Sequence, residues 1–537
     1  MVEVISARIF PGNINIRYLL FTLLFFVAVH PSYTQAPADK AKKEKKKIEL
    51  LWADYWEPDE NNPDVNRVVG HVSIKHNDIF MYCDSAYFNQ KGNKVNAYGH
   101  IHIEQGDTLD LFGDYLFYDG TEEKANVDGN VELIDKETHL YTSTLKYDVA
   151  NKTAFYDQKG KIINGENTLT SLLGIYYTDT KLFHFKDSVK IVNPDYIMTG
   201  DTMEYNTETE TAFFFGPSEL NGDSLYLYCE RGWYDTKNDI SRIWVNAIID
   251  NRQQIIRADS LFYNDNTGFG EAFRNVTIDD TTNSVMVSGD YASYLKDPEQ
   301  FMVTQRAMFV QYSDEDSLFL HADTINTVTV QGAGPDTTTL SYRLMRAYYG
   351  CRVYSDDMQA KCDSLSYSYR DSVIRLYTEP VLWSEEHQLT ADSMAIFTKN
   401  KQADRMELYN NPFIASQVDS VSFNQIKGRR LTGYFRENKL YRIYIEGNSE
   451  TIYYLEDDTG LLGVNAGKSA SIDIFVSDGK INEIIEHENP DGKLDPPLLN
   501  APGAMKLAGY TWQDSIRPKD KFDIFRRDQK KENRMEF

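Results

Sequence analysis

From about residue 66 the chain is a succession of short apolar alternations, two residues apart, separated by turn-forming stretches such as Asn89-Gln90-Lys91-Gly92-Asn93. Side chains that alternate faces belong to strands. No stretch sustains a helical period, and Val, Ile, Thr, Tyr and Phe, which strands favour, dominate. The pattern also repeats. Cys83-Asp84-Ser85-Ala86-Tyr87-Phe88-Asn89 returns as Gly113-Asp114-Tyr115-Leu116-Phe117-Tyr118-Asp119, Gly200-Asp201-Thr202-Met203-Glu204-Tyr205-Asn206 and Ala258-Asp259-Ser260-Leu261-Phe262-Tyr263-Asn264. Shorter copies stand at Gly289-Asp290, Ala322-Asp323, Cys362-Asp363 and Ala391-Asp392. With the weaker copies around Ser143, Ser171 and Glu230, the positions 84, 114, 143, 171, 201, 230, 259 and 290 are separated by 28 to 31 residues. A fixed period of this length marks a stacked repeat architecture.

Each repeat carries a second alternating half that opens on Gly or Asn, as in Tyr98-Gly99-His100-Ile101-His102-Ile103 and Asp128-Gly129-Asn130-Val131-Glu132-Leu133. One repeat therefore predicts two strands. The apolar phase slips once inside the first of them. Met81 and Cys83 share one parity and Ala86 and Phe88 the other, and the slip recurs at Leu111/Leu116, Met198/Met203 and Ile256/Leu261. A slip of one residue would turn the apolar set to the other face unless the strand bends there. Bent strands stacked on one another predict an all-β fold, an elongated β-jelly-roll or β-taco of about thirteen two-strand repeats between Arg67 and Gly479, with a parallel β-helix as the alternative. Counted at one strand spacing per repeat, its axis is about 60 Å. Gln331-Gly332-Ala333-Gly334-Pro335-Asp336 interrupts the spacing and reads as an insertion or a seam between two rolls.

The inward column holds Met81, Phe88, Leu111, Leu116, Tyr118, Met198, Met203, Tyr205, Ile256, Leu261 and Tyr263. By pattern alone these are either a closed core or the lining of an apolar groove. The Asp column (Asp84, Asp114, Asp201, Asp259, Asp290, Asp363, Asp392) reads as turn carboxylates accepting backbone N–H groups, in preference to a calcium ladder.

Composition narrows the function classes. Asp and Glu exceed Lys and Arg by 81 to 56 over 537 residues, a net charge of −25. A binder of phosphate backbones needs a cationic face, so nucleic acid is excluded as the expected partner. Arg8 and Arg17 precede the apolar stretch Tyr18 to Val29 and the small polar region His30 to Gln35, the pattern of a cleaved export signal over residues 1–35. Twelve apolar residues are too few to span a bilayer. Residues 36–65, with Lys40 to Lys47 at their centre, read as a basic flexible linker.

The four cysteines imply no disulfide framework. Cys83, Cys229 and Cys362 occupy a position filled elsewhere by Gly or Ala, so they read as small core residues. Without CxxC, HExxH or paired histidines, no metal or cofactor is expected, and without a nucleophile elbow or triad order, no enzyme. Gly463-Val464-Asn465-Ala466-Gly467-Lys468-Ser469 misses the spacing of a phosphate-binding loop and reads as a turn before the strand Ser471 to Val476.

Gly70-His71-Val72-Ser73-Ile74, leading into Met81-Tyr82-Cys83-Asp84-Ser85-Ala86-Tyr87, resembles the OstA/LptA family of periplasmic β-jelly-roll proteins, specifically its larger OstA-like members of Bacteroidetes type. Ala97-Tyr98-Gly99-His100-Ile101, Gln388-Leu389-Thr390-Ala391-Asp392-Ser393-Met394 and the closing Leu507-Ala508-Gly509-Tyr510-Thr511-Trp512 with Arg517-Pro518 are similar too. The resemblance implies an OstA-like roll in two parts, 66–335 and 336–490, followed by a Pro-rich and basic tail, 491–537. It implies a periplasmic location, in association with the outer membrane, and a non-enzymatic role in lipopolysaccharide transport, with lipid A acyl chains in a groove lined by the inward column. The expected partners are lipopolysaccharide, other jelly-roll transport components joined by strand-edge addition, and further copies of the chain. Two alternatives stay open: an extracellular structural or adhesive rod of closed repeats, and a polysaccharide-acting β-helix enzyme drawing acid and base from the Asp column.

Overall fold

The computed structural model describes residues 47–527 except 61, 108, 224, 253, 283, 313–316, 331–340, 400–401, 438, 458–459, 478–479 and 497–504. The expected export signal, residues 36–46 of the basic linker, the interruption at Gln331 to Asp336 with the division at 335/336, and the last ten residues lie outside the described residues. The rest of the expected flexible linker is ordered by the strands Glu49–Trp52 and Tyr55–Pro58, which pair with Asn66–His76. What is described is a ladder of antiparallel strands in which chain neighbours pair, beginning Asn66–His76, Ile79–Asn89, Lys94–Gln105, Leu109–Asp119, Lys124–Asp135 and Thr138–Asp148. Leu318–Val330 and Tyr342–Tyr354 pair directly, so the ladder passes the interruption without a break. The two helical turns among the described residues, Asp514–Ile516 and Asp523–Phe525, are short 3-10 segments of the tail.

The repeat is thus two strands, as the alternation predicts, and the all-β roll is confirmed. The axial estimate needs correction, because each repeat adds two hydrogen-bonded strands and so about 9.6 Å rather than one spacing. Gly463 to Ser469 also departs from its reading as a turn. It runs inside the continuous strand Gly460–Ser477, because Ser449 to Leu455 of Lys439–Asp457 offer it a full antiparallel partner.

Burial along Ile79–Asn89 follows the slip: Ile79, Met81 and Cys83 are buried, then Ala86 and Phe88. The partner strands bend by another device. Lys94–Gln105 places three residues, Gly99, His100 and Ile101, against Cys83 and Asp84. Gly99 and His100 both take left-handed backbone conformations, with φ of 76° and 43°. The same pair of left-handed residues recurs at Gly70-His71, Gly129-Asn130, Asp187-Ser188, Val245-Asn246, Arg274-Asn275 and Gln305-Arg306. Two consecutive residues of this kind reverse the curl of a strand, so each one folds into two walls. Where the corner severs the strand altogether, the walls pair independently: Met358–Ser368 holds Val381–Ser384 with its first half and Val373–Tyr377 with its second.

Candidate functional site

The interior is built from two rows of inward side chains, one per wall, each made of directly opposed cross-strand neighbours. On the first wall the row runs Ile74, Met81, Ile103, Leu111, Leu133, Leu140, Ile162, Leu169, Ile191, Met198, Leu220 and Leu227, and continues through Ile249, Ile256, Ile278, Val287, Phe309 and Leu320. The second wall alternates large and small except where Tyr176, Phe183 and Tyr205 follow one another: Tyr118, Ala125, Tyr147, Ala154, Tyr176, Phe183, Tyr205, Ala212, Tyr234, Ser241, Tyr263, Gly270 and Tyr294. Alternating volume lets the tyrosines reach across without colliding along their own wall.

They reach the far rim. Tyr118 Oη lies 2.6 Å from His76 Nδ1, Tyr147 Oη donates to Gln105 Oε1, Tyr176 Oη donates to Asp135 Oδ2 at 2.8 Å, and Asn167 Nδ2 donates to Tyr205 Oη at 3.1 Å. Lys181 adds an ion pair to Asp135 at 2.6 Å. Polar groups withdrawn from water are stable only when paired, so this seam both satisfies the hydroxyls and shuts the roll. Burial pushes the Tyr147 phenol up to about 12 and drives Tyr118, Tyr176 and Tyr205 higher still, Asp135 adding its charge at Tyr176, so these four phenols stay protonated.

The seam ends at Tyr205. Tyr234 turns to Asp239 at 3.1 Å and Tyr263 to Asp265 at 3.0 Å, both within their own hairpins. Tyr196 meets Tyr234 by ring contact, with centroids 6.2 Å apart. Beyond it the far rim runs Asp280, Val285, Gln311 and Leu318 as directly opposed neighbours, polar residues alternating with apolar ones. Apolar side chains of both walls are only partly buried there: Ile249, Ile256, Val285, Val287 and Leu318 on the first, Tyr234, Tyr263, Tyr294 and Phe301 on the second.

The predicted lining residues therefore separate into two groups. Met81, Phe88, Leu111, Leu116, Tyr118, Met198, Met203 and Tyr205 are buried at 4% exposure or less in the closed section. Ile256 and Tyr263 stand at the unsealed mouth, with Leu261 buried on the floor between them. Sequence reasoning did not single out Val285, Val287, Tyr294, Phe301 and Leu318.

The Asp column departs from its expected role. It accepts side-chain N–H groups from the second left-handed residue of the neighbouring strand: Asn130 to Asp114 at 2.7 Å, Asn246 to Glu230 at 2.6 Å and Asn275 to Asp259 at 3.0 Å, with His100 Nδ1 2.8 Å from Asp84. The geometry favours this because the carboxylate sits outside the corner, against the turn of the next strand. The four cysteines are free and buried, and burial pushes the Cys83 and Cys229 thiols up to about 12, as inert core residues require. His102, Glu104 and Asp110 bring three ligand-type atoms within 4.8 Å on the outer face, where His102 Nε2 is 2.8 Å from Asp110 and Tyr82 donates to Glu104 at 3.2 Å. Two clefts also lie outside the roll. One of about 900 Å³ is bordered by Trp233, Trp244, Phe273 and Arg274, and one of about 590 Å³ by Arg346, Arg370 and Arg375.

The family model described as OstA-like protein matches residues 45–201, which hold the first corners and the closed rows. Over this segment the chain is similar to that family. The matched segment holds the seam tyrosines Tyr118, Tyr147 and Tyr176, and Tyr205 and the unsealed section follow it. A solved structure similar to part of the chain is the crystal structure of LptH, the LptA homologous periplasmic component of the conserved lipopolysaccharide transport device from Pseudomonas aeruginosa. It is 16% identical, with 25% of this chain and 79% of that chain covered and a TM-score of 0.14. No curated protein matches the chain.

Proposed function

We propose that the protein is a periplasmic, non-enzymatic carrier in lipopolysaccharide transport, and that it shelters acyl chains in the unsealed section of its roll. The observation that carries this reading is the change at Tyr205: a tyrosine seam closes the two walls before it, and apolar rows stand partly exposed after it. The OstA-like match supports the transport class. An acyl chain of a dozen methylenes costs about 0.8 kcal/mol per group to expose, on the order of 10 kcal/mol, so it needs continuous apolar cover to cross water. The row Ile249, Ile256, Ile278, Val287 and Phe309 runs along the roll axis and offers that cover in the direction of travel. The closed section acts as the stiff part of the carrier.

Other jelly-roll components would join by strand addition at the first edge. There Glu49–Trp52 and Tyr55–Pro58 pair only with Asn66–His76 among the described residues, and Trp52, Tyr55 and Trp56 are exposed. A photo-crosslinking residue at Ile256 or Val287 captures lipopolysaccharide in cells, and the same probe at Leu116, inside the closed section, captures little. Absence of capture at all three overturns the carrier reading and leaves a structural rod, whose interior touches no lipid.

A further inference from the structure

The tail is more than a basic appendage. Residues 505–527 leave the ladder and run across it on the outside, passing over one strand after another toward earlier repeats: Met505 and Leu507 meet Gln425, Thr511 and Gln513 meet Gln388, Arg517 meets Gln359, and Phe525 meets His321. The expected tail starts as a strand, Asp491–Asp495, paired with Gly460–Ser477, whereas residues 505–527 form no strand with the ladder. This segment is held by side chains that rise from the outward face and read its backbone.

Two glutamines do this with the same geometry. Gln425 Nε2 donates to the carbonyl of Met505 at 3.0 Å while its Oε1 accepts the amide of Leu507 at 2.9 Å. Gln388 Nε2 donates to the carbonyl of Thr511 at 2.8 Å while its Oε1 accepts the amide of Gln513 at 2.6 Å. Each carboxamide brackets residues two apart, as a neighbouring strand would, and each is 1% exposed. Outward glutamines on a strand are normally solvated, so full burial at a paired backbone contact marks a built recognition surface. Aromatic sockets give it selectivity. Phe423 takes Tyr510 and Trp512 with ring centroids 5.4 and 5.0 Å away, and Arg517 Nε donates to Gln359 Oε1 at 2.7 Å.

We propose that this outer face, from His321 to Gln425, is a peptide-binding track, that residues 505–525 are its resident ligand, and that the same segment of a second copy can occupy it in trans. The chemistry recognised is an extended backbone carrying two aromatic side chains and an arginine. The proposal stands apart from the lipid reading, since the track lies on the opposite face of the sheet from the inward rows.

The test uses the full chain with a protease site placed within 497–504, cut after folding, and a fluorescent peptide of residues 505–527. The cut protein takes up the peptide in one-to-one ratio with release of its own tail, and a scrambled peptide does not bind. Gln388→Ala with Gln425→Ala weakens uptake by about tenfold or more, because both brackets are lost. If that variant fails to fold, a peptide carrying Tyr510→Ala and Trp512→Ala serves instead, and it competes about tenfold less well. A cut tail that survives gel filtration and does not exchange overturns the proposal, as does uptake unchanged by either pair of substitutions. So does loss of the fold on cutting, which would make the tail part of the core.

Discussion

Tyr176 and Asp135 sit on opposite walls of the roll, 41 residues apart in sequence, and meet at 2.8 Å across its closed mouth. Asp135 also holds Lys181 at 2.6 Å, so one buried carboxylate ties two elements of the far wall to the rim. The two partners make different predictions. Tyr176→Phe removes one hydrogen bond and leaves Asp135 paired with Lys181, which costs about 1 kcal/mol. Asp135→Ala strands a largely buried ammonium and a buried hydroxyl, which costs about 3 kcal/mol. Denaturant unfolding ranks them, and equal effects would show that the seam contributes no more than its packing.

Gly99 makes a sharper test of the corner. At φ 76° a side chain is already strained, and a Cβ would stand 2.3 Å from Asp84 Oδ2. Gly99→Ala is expected to destabilise by about 1 to 3 kcal/mol. Placed on an Asp84→Ala background, the same change costs less, because the carboxylate collision is gone and only the backbone strain and the 3.1 Å approach to the Cβ of residue 84 remain. Strict additivity in the double-mutant cycle would place the whole penalty in the backbone.

The strand content, the two-strand repeat and the inward column were legible because parity survives along each half-strand, as in Met81 and Cys83 or Leu116 and Tyr118. The corner was only half legible. The slip at Asp84 is visible in sequence, but the left-handed pair at Gly99-His100 has no side-chain parity to betray it: Ala97 and Ile101 share a face across it. Closure was not legible, since it depends on which residue of the far rim meets each tyrosine. His76, Gln105, Asp135 and Asn167 are ordinary polar residues until the walls face each other. The glutamines of the outer track were hidden for the same reason, because Gln388 and Gln425 read as solvated positions when the tail is ignored.

His100 makes the Asp column pH-dependent in one repeat and not in the next. Its hydrogen bond to the Asp84 carboxylate, and then that group's charge, raise its pKa above the ordinary value. A raised folded-state pKa stabilises the protein in full below the unfolded value, near 6.5, and the contribution is lost as pH rises through the folded value. Asn130 makes the equivalent contact to Asp114 without titrating. His100→Asn should therefore keep the link and flatten the melting-temperature profile above the unfolded histidine value, near pH 6.5. A profile parallel to that of the unaltered chain would remove His100 from the account.

Val287 offers the most direct way to separate an open slot from a loose core. It is only partly buried, between its cross-strand neighbours Ile278 and Phe309, on the wall that also presents Ile256. In a filled core, Val287→Trp would overpack the site and cost about 1 to 3 kcal/mol. In an unsealed slot the ring extends into space that an acyl chain would use, stability changes little, and lipopolysaccharide capture by a probe at Ile256 falls. Leu111→Trp, made one stretch earlier in the closed row, should do the reverse and destabilise the fold, since Leu111 is fully buried. Unfolding measurements on both variants, with crosslinking on Val287→Trp, decide the matter: a strongly destabilised Val287→Trp, or one that still binds lipid at Ile256 as before, argues against acyl chains lying along this row.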